Sequence, residues 1–392
     1  MNMNNIDKAM SLKFFQPTFW RHGTGIVSEI GSILKEYGCK RPLIVTDHVL
    51  VSLGLVEPVL QSLKNADINF TIYDSVEREP TVKMFNDISA SFDLKAFDSV
   101  IAVGGGSVID MSKGLAILGS FGGSITDYDG FNKFSRKPDM KIFAIPTTAG
   151  AGSEVSDGVI VLDEERNTKF GVLSDDIRPV VALTDPEMTL SMPPKVTACT
   201  GIDALIHGIE AYLSTNANMA TDMFALKAIE LISEGLVPAY KDGSNVETRE
   251  KMQLGATMAM IAASNAFVGM AHSMDGPICA LYHIPHGQAC GLVAPGVLKF
   301  NAGAAEERVL NVFKTMGFID ADANGESAVS EGCDRLTGLL DETGLLIKLR
   351  DIGFKESHLD NIIEETLKGA TLGTNPRQPG EKDIEEVLRQ II

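Results

Sequence analysis

The stretch SVIAVGGGSVIDMSK, Ser99–Lys113, decides the fold, because a strand, a glycine turn and the start of a helix follow one another in it. Glycines let a backbone approach a ligand closely, and the N-terminus of a helix attracts negative charge. Ser107 is predicted to cap this helix, with Asp110 three residues later as its capping partner. The stretch therefore favours a βαβ unit with a phosphate-binding turn.

A second loop of this kind is PTTAGAGSE, Pro146–Glu154, which offers hydroxyl groups and bare backbone after a later predicted strand. The glycine turn is not the dinucleotide pattern GxGxxG, since Ile109 stands at its third glycine position. Glycine turns also begin helices that bind nothing, so this alternative stays open for either loop alone. Two such loops at one sheet edge strengthen the phosphate-binding interpretation.

The rest of the first half repeats the alternation of β-branched runs and helical stretches, which is typical of a doubly wound parallel sheet. Its predicted strands are Leu43–Asp47, Ile68–Tyr73, Ser99–Val103, Lys141–Ile145 and Val180–Thr184, with a hairpin of Gly158–Leu162 and Lys169–Leu173. The helices predicted beyond Pro193 are Val196–Leu213, Thr221–Leu236, Val246–Ala271, Glu306–Met316, Ala328–Thr343, Asp360–Leu367 and Glu381–Gln390. We therefore expect a Rossmann-like α/β domain at residues 1–190 and an all-α domain at residues 191–392.

Composition and charge exclude several classes of protein. The chain of 392 residues carries 34 Lys and Arg against 52 Asp and Glu, a net charge of −18. Such a surface repels nucleic acid and anionic membranes, so we expect neither as a partner. The longest weakly polar stretch, Ala256–Ala271, is shorter than the roughly 20 residues that span a bilayer. We find no export signal between Met1 and Gln16, which predicts a cytoplasmic protein.

The five cysteines predict no covalent framework. They are odd in number and widely spaced, so neither disulfides nor a cysteine zinc site is expected, and each is interpreted as a buried thiol. The positions are Cys39, Cys199, Cys279, Cys290 and Cys333.

Histidines and one aspartate in the second half have the spacing of metal ligands. Asp203 and His207 are four residues apart on a predicted helix, so both side chains leave the same face. His272, His283 and His286 follow in the same all-α region. One carboxylate with three imidazoles suits Fe²⁺ or Zn²⁺. Each histidine alone could instead cap a helix or lie in the core, but the joint pattern favours a metal site.

Asp47 lies at the end of the first predicted strand, from which a carboxylate accepts both hydroxyls of an adenosine ribose. A 2′-phosphate would meet like charge there, so we expect NAD in preference to NADP; a turn or capping role for Asp47 is the alternative. A nicotinamide cofactor and a Lewis-acidic metal in one chain favour hydride transfer between an alcohol and an aldehyde.

The chain resembles the iron-containing (group III) alcohol dehydrogenase family over nearly its whole length. The resemblance rests on GGGSVID at Gly104–Asp110, PTTAGAGSE at Pro146–Glu154, TGIDALIH at Thr200–His207, PHG at Pro285–Gly287 and TNPR at Thr374–Arg377. It implies a Rossmann-like domain followed by a helical one, the fold shared with dehydroquinate synthase, and at least a homodimer. It also implies NAD(H) and Fe²⁺, or Zn²⁺ in some members, with the metal on Asp203, His207, His272 and His286.

The resemblance further implies where the cofactor binds. The matching positions are Asp47, Gly104, Gly105, Gly106, Ser107, Asp110, Thr147, Thr148, Ala151 and Lys169. The glycines and Ser107 would meet the pyrophosphate. Thr147 and Thr148 would lie near the adenine side and Lys169 near the ribose. Asp47 matches the acid with which the family selects NAD.

Several positions depart from the family's pattern. Gly276 stands where lactaldehyde and propanediol reductases carry a second histidine, so His283, solvent or the metal alone must handle the proton. Ala151 replaces a usual threonine, and Gly158 and Ala263 replace larger pocket residues. Smaller walls leave room for a substrate with a polar or anionic head, such as a semialdehyde or a sulfo- or phospho-substituted aldehyde.

Other interpretations stay open. A diol dehydrogenase acting on 1,3-propanediol or lactaldehyde is the first alternative within the family. A 3-dehydroquinate synthase-like lyase has the same architecture, but it needs a cluster of Lys and Arg for its carboxylate and phosphate that is missing here. A non-catalytic scaffold is disfavoured because all four metal positions are intact.

Overall fold

A six-stranded parallel sheet is the centre of the first half of the chain in the computed structural model, which describes residues 12–77, 79–166 and 168–392. The strands of the described residues are β1 (Phe19–His22), β2 (Pro42–Val45), β3 (Thr71–Tyr73), β4 (Ser99–Gly104), β5 (Gly130–Phe131), β6 (Lys141–Pro146), β7 (Gly158–Asp163), β8 (Thr168–Leu173) and β9 (Val181–Thr184). The order in the main sheet is β1-β9-β6-β4-β2-β3. This confirms the predicted doubly wound fold, and β1 is a strand that the sequence pattern did not predict.

Apolar cores cover both faces of this sheet, as a parallel sheet requires. Strand β4 shows how one short run supplies both cores. Val100 and Ala102 belong to one buried apolar cluster, while Ile101 and Val103 belong to the other. Successive side chains of a strand point to opposite faces, which explains the division. The helices between the strands are α1 (Ile30–Glu36), α2 (His48–Ser52), α3 (Glu57–Asn65), α4 (Val82–Ser91) and α5 (Gly106–Phe121).

A smaller sheet follows the loop after β6. Strands β7 and β8 pair antiparallel, from Gly158 opposite Leu173 to Asp163 opposite Thr168, so the predicted hairpin is confirmed. Strand β5 pairs parallel with β8 and completes a three-stranded sheet.

The second half is helical, as predicted. Its helices are α6 (Pro194–Leu213), α7 (Met219–Lys241), α8 (Val246–Ala266), α9 (Met270–Tyr282), α10 (His286–Thr315), α11 (Gly325–Glu342), α12 (Leu359–Leu367) and α13 (Glu381–Ile391). Within the described residues, no single helix has the length and apolar character to cross a membrane. The bent pair of α8 and α9 meets that test when the two are taken together.

The single helix predicted at Val246–Ala271 is wrong, because two helices occupy this stretch. Helix α8 ends at Ala266, α9 begins at Met270, and the two are bent by 106°. Phe267 between them has a φ of 66°, a left-handed conformation that ends an α-helix. Helix α10 is interrupted at Ala305, which has a non-helical φ of −142° and ψ of 42°. The predicted helix Glu306–Met316 corresponds to the part after this kink, whereas the part before it, which contains Pro295, was missed.

Two compact units divide the chain. The sheet unit comprises Pro17–Gly201 and Gly235–Met260, and the helical unit comprises the described residues up to Gln16 with Ile202–Glu234 and Ile261–Ile392. The predicted domains, residues 1–190 and 191–392, differ from these units because the end of α7 and most of α8 pack with the sheet. Thr257 of α8, for example, donates to Glu154 Oε1 at 2.7 Å.

Candidate metal centre and cofactor loops

Three helices of the helical unit bring the predicted metal ligands together. Helix α6 carries Asp203 and His207 on one face, α9 carries His272 in its first turn, and α10 begins at His286. Asp203 Oδ1 lies 3.2 Å from His286 Nε2 and 3.8 Å from His272 Nε2. It also lies 3.8 Å from His207 Nδ1. The four side chains that the sequence separates by up to 83 positions therefore share one small volume.

Unpaired polar atoms in this cluster test whether a cation fits. Asp203 Oδ1, His207 Nδ1 and His272 Nε2 are buried and have no hydrogen-bond partner within the described chain. Leaving such an atom unsatisfied costs about 1–3 kcal/mol, so three of them at one point need an explanation. A carboxylate oxygen and imidazole nitrogens are the donors that Fe²⁺ and Zn²⁺ accept. The residues therefore fit a divalent metal.

Two buried carboxylates orient two of the imidazoles. Glu210, one turn of α6 beyond His207, accepts from His272 Nδ1 at 2.6 Å and from the backbone N–H groups of Gly269 and Ala271 at 2.9 and 2.6 Å. Asp275 bonds in the same way with His286 Nδ1. Because Nδ1 is occupied in both rings, Nε2 of each is left for a metal.

Charge in the cluster suits a cation. Burial raises the pKa of the Asp203 carboxyl, but the charge of His286 and the imidazole nitrogens of His272 and His286 beside its oxygen outweigh it and hold that pKa well below its usual range. Burial also raises the pKa of Glu210, yet the bonds from His272 and two backbone N–H groups leave it lowered. Burial lowers the pKa of His207 to about 4, so this imidazole is neutral, as a metal ligand must be.

The sequence interpretation missed several members of this cluster. Cys290 Sγ lies 4.0 Å from His286 Nε2, and Cys279 Sγ lies 3.9 Å from Asp275 Oδ2. Helical spacing could have found them, since Glu210 is seven residues after Asp203 and Cys290 is four residues after His286. Burial of Cys290 was predicted correctly, but its position among candidate ligands was not, and the burial predicted for Cys279 is wrong because this residue is only partly buried.

The two glycine-rich loops of the sheet unit lie against each other. Strand β4 pairs with β6 so that Gly104 is opposite Pro146, and the N–H of Thr147 donates to the Gly104 carbonyl at 3.0 Å. A Cβ added at Gly105 would lie 3.2 Å from Thr148 Cγ2. A Cβ at Gly106 would lie 3.3 Å from Ser153 Oγ and 3.4 Å from the Cβ of Ala151. A side chain at Gly105 or Gly106 would therefore need its neighbour in the second loop to move by a few tenths of an ångström.

The capping predicted for the helix after the first loop is wrong. Helix α5 begins at Gly106, its N-cap is Gly105, and no side chain caps it. Ser107 is thus already inside the helix. Asp110 instead accepts from the N–H of Ile160 at 3.1 Å, so it ties α5 to β7.

A buried charged group beneath these loops was also missed. Lys113 is fully buried and donates to the carbonyls of Ser156 and Gly158 at 3.1 and 2.9 Å and to the Ser156 hydroxyl at 2.9 Å. Its Nζ lies 3.7 Å from Asp110 Oδ1. Glu154 is 4% exposed, and burial raises its pKa. These contacts fix the backbone that follows the second loop.

The remaining predicted cofactor residues lie on the sheet unit. Asp47 follows β2 and caps α2, accepting from the N–H of Leu50 at 2.9 Å, which is the capping role that the sequence left open. Thr147 is buried and Thr148 is half-buried at the start of the second loop. Lys169 on β8 pairs with Glu79 at 2.7 Å. None of these contacts by itself identifies a cofactor position.

The predicted substrate-pocket residues differ in their surroundings. A Cβ at Gly158 would meet Leu173 Cδ2 at 3.0 Å, and Ala263 is 6% exposed, so neither borders open space. A Cβ at Gly276 on α9 would have no atom of the described chain within 4 Å. His283 is the C-cap of α9, with a φ of 53°, and it is exposed.

Comparisons with known proteins agree with this arrangement. The family model described as iron-containing alcohol dehydrogenase matches residues 17–186, and that described as the C-terminal part of the Fe-containing alcohol dehydrogenase family matches residues 197–392. Alcohol dehydrogenase 4 of Schizosaccharomyces pombe is 35% identical over 97% of this chain and 90% of its own length.

Two solved structures match almost the whole fold. A 1,3-propanediol oxidoreductase has a TM-score of 0.92 at 33% identity, covering 97% of this chain and 99% of that one. A sulfoacetaldehyde reductase from Bifidobacterium kashiwanohense, solved in complex with NAD⁺, has a TM-score of 0.89 at 28% identity, with the same coverage. The predicted fold and the expectation of an oxidoreductase are confirmed, and this chain belongs to the iron-containing alcohol dehydrogenase family.

Proposed function

We propose that the chain interconverts a small functionalised aldehyde and its primary alcohol, with NAD(H) and a divalent metal. The observation that carries this proposal is the convergence of buried, unpaired atoms of Asp203, His207 and His272, with His286 beside them. When bound, the metal supplies a Lewis acid that makes an alcohol more acidic, and the nicotinamide accepts or returns a hydride.

Under this proposal, different side chains of the helical unit bind the metal, orient a metal ligand and exchange the proton. Asp203, His207, His272 and His286 hold the metal. Glu210 fixes the His272 ring by accepting from its Nδ1, and this leaves Nε2 as the donor. The exposed ring of His283 is proposed to exchange the reaction's proton with water, since Gly276 has no side chain to do so.

The cofactor is proposed to bind the loops of the sheet unit. The pyrophosphate would lie at Gly104, Gly105, Gly106 and Ser107, with Asp110 behind them. The half-buried positions Gly105, Gly106 and Ser107 and the N-terminus of the 16-residue helix α5 support this placement. Thr147, Thr148 and Ala151 would line the adenine side, Lys169 the ribose, and Asp47 would select NAD over NADP.

The substrate is proposed to carry a polar or anionic head, as in a semialdehyde or sulfoacetaldehyde. The open space at Gly276, four residues after His272 on α9, supports this choice. The likeness to a sulfoacetaldehyde reductase supports it as well. The likeness to a 1,3-propanediol oxidoreductase favours a diol dehydrogenase as the second candidate. Gly158 and Ala263 support the proposal less, because other side chains fill their surroundings.

Anaerobic purification, metal analysis and a panel of NADH-consumption assays test the proposal. The panel compares semialdehydes and sulfoacetaldehyde with lactaldehyde, 3-hydroxypropanal, acetaldehyde and propanal. We expect one divalent metal per chain and the highest kcat/KM on a functionalised aldehyde. A chain that binds no metal and consumes no NADH would refute the reaction. Acetaldehyde or propanal as the best substrate would refute only the substrate class.

We also propose that the chain assembles at least as a dimer. Strand β1 is at the edge of the main sheet, and its Phe19 is 59% exposed. Edge strands offer unpaired backbone groups that a second chain can cover. Light scattering on the eluting protein measures the mass, and a single 42.1 kDa species would contradict this.

A further inference from the structure

A cysteine sulfur lies among the candidate metal ligands. Cys290 is fully buried on α10, one turn after His286. Its Sγ and donor atoms of Asp203, His272 and His286 all lie within 4.8 Å of one another. Two of those atoms, Asp203 Oδ1 and His272 Nε2, have no hydrogen-bond partner within the described chain. The sulfur therefore faces a point where other donors already converge.

The distances resemble those around one shared ion. Neighbouring donors of one ion with more than four ligands meet at angles of about 90–120°, so they lie roughly 2.9–3.8 Å apart, given metal bonds of about 2.0–2.1 Å to oxygen or nitrogen and about 2.3 Å to sulfur. Here Asp203 Oδ1 is 3.2 Å from His286 Nε2 and 3.8 Å from His272 Nε2. The Sγ of Cys290 is 4.0 Å from His286 Nε2. A small contraction around an ion would bring all four into bonding range.

We propose that Cys290 is a sulfur ligand of the metal centre, beside Asp203, His207, His272 and His286. This inference rests on the metal site of the proposed function. As the sulfur–metal bond forms, the thiol proton passes to solvent. A thiolate is a softer donor than a carboxylate or imidazole, so it shifts the preference of the site from Fe²⁺ towards Zn²⁺.

Cys279 is the rival thiol and supplies the matched control. Its Sγ lies near Asp275 and His286, and these three form a second possible cluster. Asp275 and His286 Nδ1, however, form a hydrogen bond with each other, so these two atoms are not available to a metal beside Cys279. Replacing Cys279 should therefore leave the metal's spectrum unchanged.

The test replaces the native metal with Co²⁺ in the full-length chain and in the variants C290S and C279S. Visible d–d bands report bound Co²⁺, and a near-ultraviolet charge-transfer band reports a sulfur–cobalt bond. We expect both bands in the wild type and in C279S, and loss of only the charge-transfer band in C290S. X-ray absorption of the wild-type Zn²⁺ protein, which needs no variant, should show one sulfur at about 2.3 Å.

The outcomes separate this inference from the proposed function. Visible bands without a charge-transfer band in the wild type, or a zinc shell of nitrogen and oxygen alone, would overturn the role of Cys290 and leave the metal site intact. A wild-type chain that binds neither Co²⁺ nor Zn²⁺ would overturn both. A charge-transfer band that disappears in C279S and persists in C290S would assign the sulfur to Cys279 and also overturn the inference.

Discussion

In the metal centre, side chains of α6, α9 and α10 bring together polar atoms that have no hydrogen-bond partner within the described chain, whereas in the cofactor loops glycines pack closely against neighbouring side chains and the buried Lys113 has its donors occupied. Asp203 and His272 show the first arrangement, since each keeps one buried atom without a partner within the described chain. Gly105 and Lys113 show the second arrangement. Gly105 has no side chain, and Lys113 donates three hydrogen bonds to Ser156 and Gly158. Removing polar atoms should therefore impair metal binding in the metal centre, whereas adding atoms should impair cofactor binding in the loops.

Removing the charge of Asp203 should have the largest effect. We expect Asp203→Asn to lose its metal and to lower turnover by about a thousandfold, because a Lewis acid contributes several kcal/mol at about 1.4 kcal/mol per factor of ten. Metal analysis and steady-state kinetics measure this, and fluorescence titration should find NADH binding unchanged. His283→Gln is the control and should keep its metal. A metal-loaded Asp203→Asn protein would contradict the site.

Removing the charge of Glu210, which holds the His272 ring, should have the second-largest effect. Glu210→Gln keeps the shape of the side chain but no longer holds the His272 ring by a charged bond, so we expect metal affinity to fall roughly 10–100-fold. Competition with a chelator measures the dissociation constant. Glu230→Gln, at an exposed position paired with Lys227, is the matched control. Equal affinities in both variants would show that Glu210 does not position its histidine.

Adding one carbon to a cofactor loop should have a smaller effect of the opposite kind. Gly105→Ala places a Cβ 3.2 Å from Thr148, and overpacking of this sort costs about 1–3 kcal/mol. We expect NADH to bind about tenfold more weakly while the metal content stays the same. Gly276→Ala adds the same carbon to open space and should change neither stability nor NADH binding. Equal NADH affinities in the two variants would remove the contrast between the regions.

The smallest expected effect is a pH dependence in the sheet unit. Burial raises the pKa of Glu154 above 4.5, so the folded chain holds this proton more tightly than the unfolded chain does. The stability it contributes is complete below pH 4.5 and is lost as pH rises through the folded value. Glu154→Gln should therefore lose less stability than the wild type between pH 5 and pH 8. For a difference on the order of 1 kcal/mol, melting curves would differ by about 2–4 °C.

Sequence periodicity predicted most of the fold because strands such as β4 and helices such as α6 are long and apolar. It failed where a single residue overrides the pattern. Phe267 has a left-handed backbone conformation, which is not expected for phenylalanine. Pro295 lies inside a helix although proline lacks the N–H group that a helix needs. The capping role predicted for Ser107 was wrong because the N-cap of the helix is Gly105, two residues earlier.

All four histidine and aspartate ligands of the candidate site were predicted, although His272 and His286 lie on helices other than that of Asp203 and His207. Asp203 and His207 were found from their spacing. Glu210 and Cys290 have equally regular spacing but were not assigned, because a glutamate on a helix usually faces solvent and a lone thiol usually packs in the core. Lys113 could not have been assigned, because two of its three hydrogen-bond partners are backbone carbonyls, which any sequence offers.

The interleaving of the two units has a consequence for synthesis of the chain. Glu154 becomes buried against Thr257, a residue made 103 positions later. At roughly 5–20 residues per second, a ribosome needs about 5–20 s to reach it. During that time the nascent sheet lacks the segment Gly235–Met260 that completes its unit. The Glu154 carboxylate therefore remains without the Thr257 hydroxyl until α8 has been synthesised.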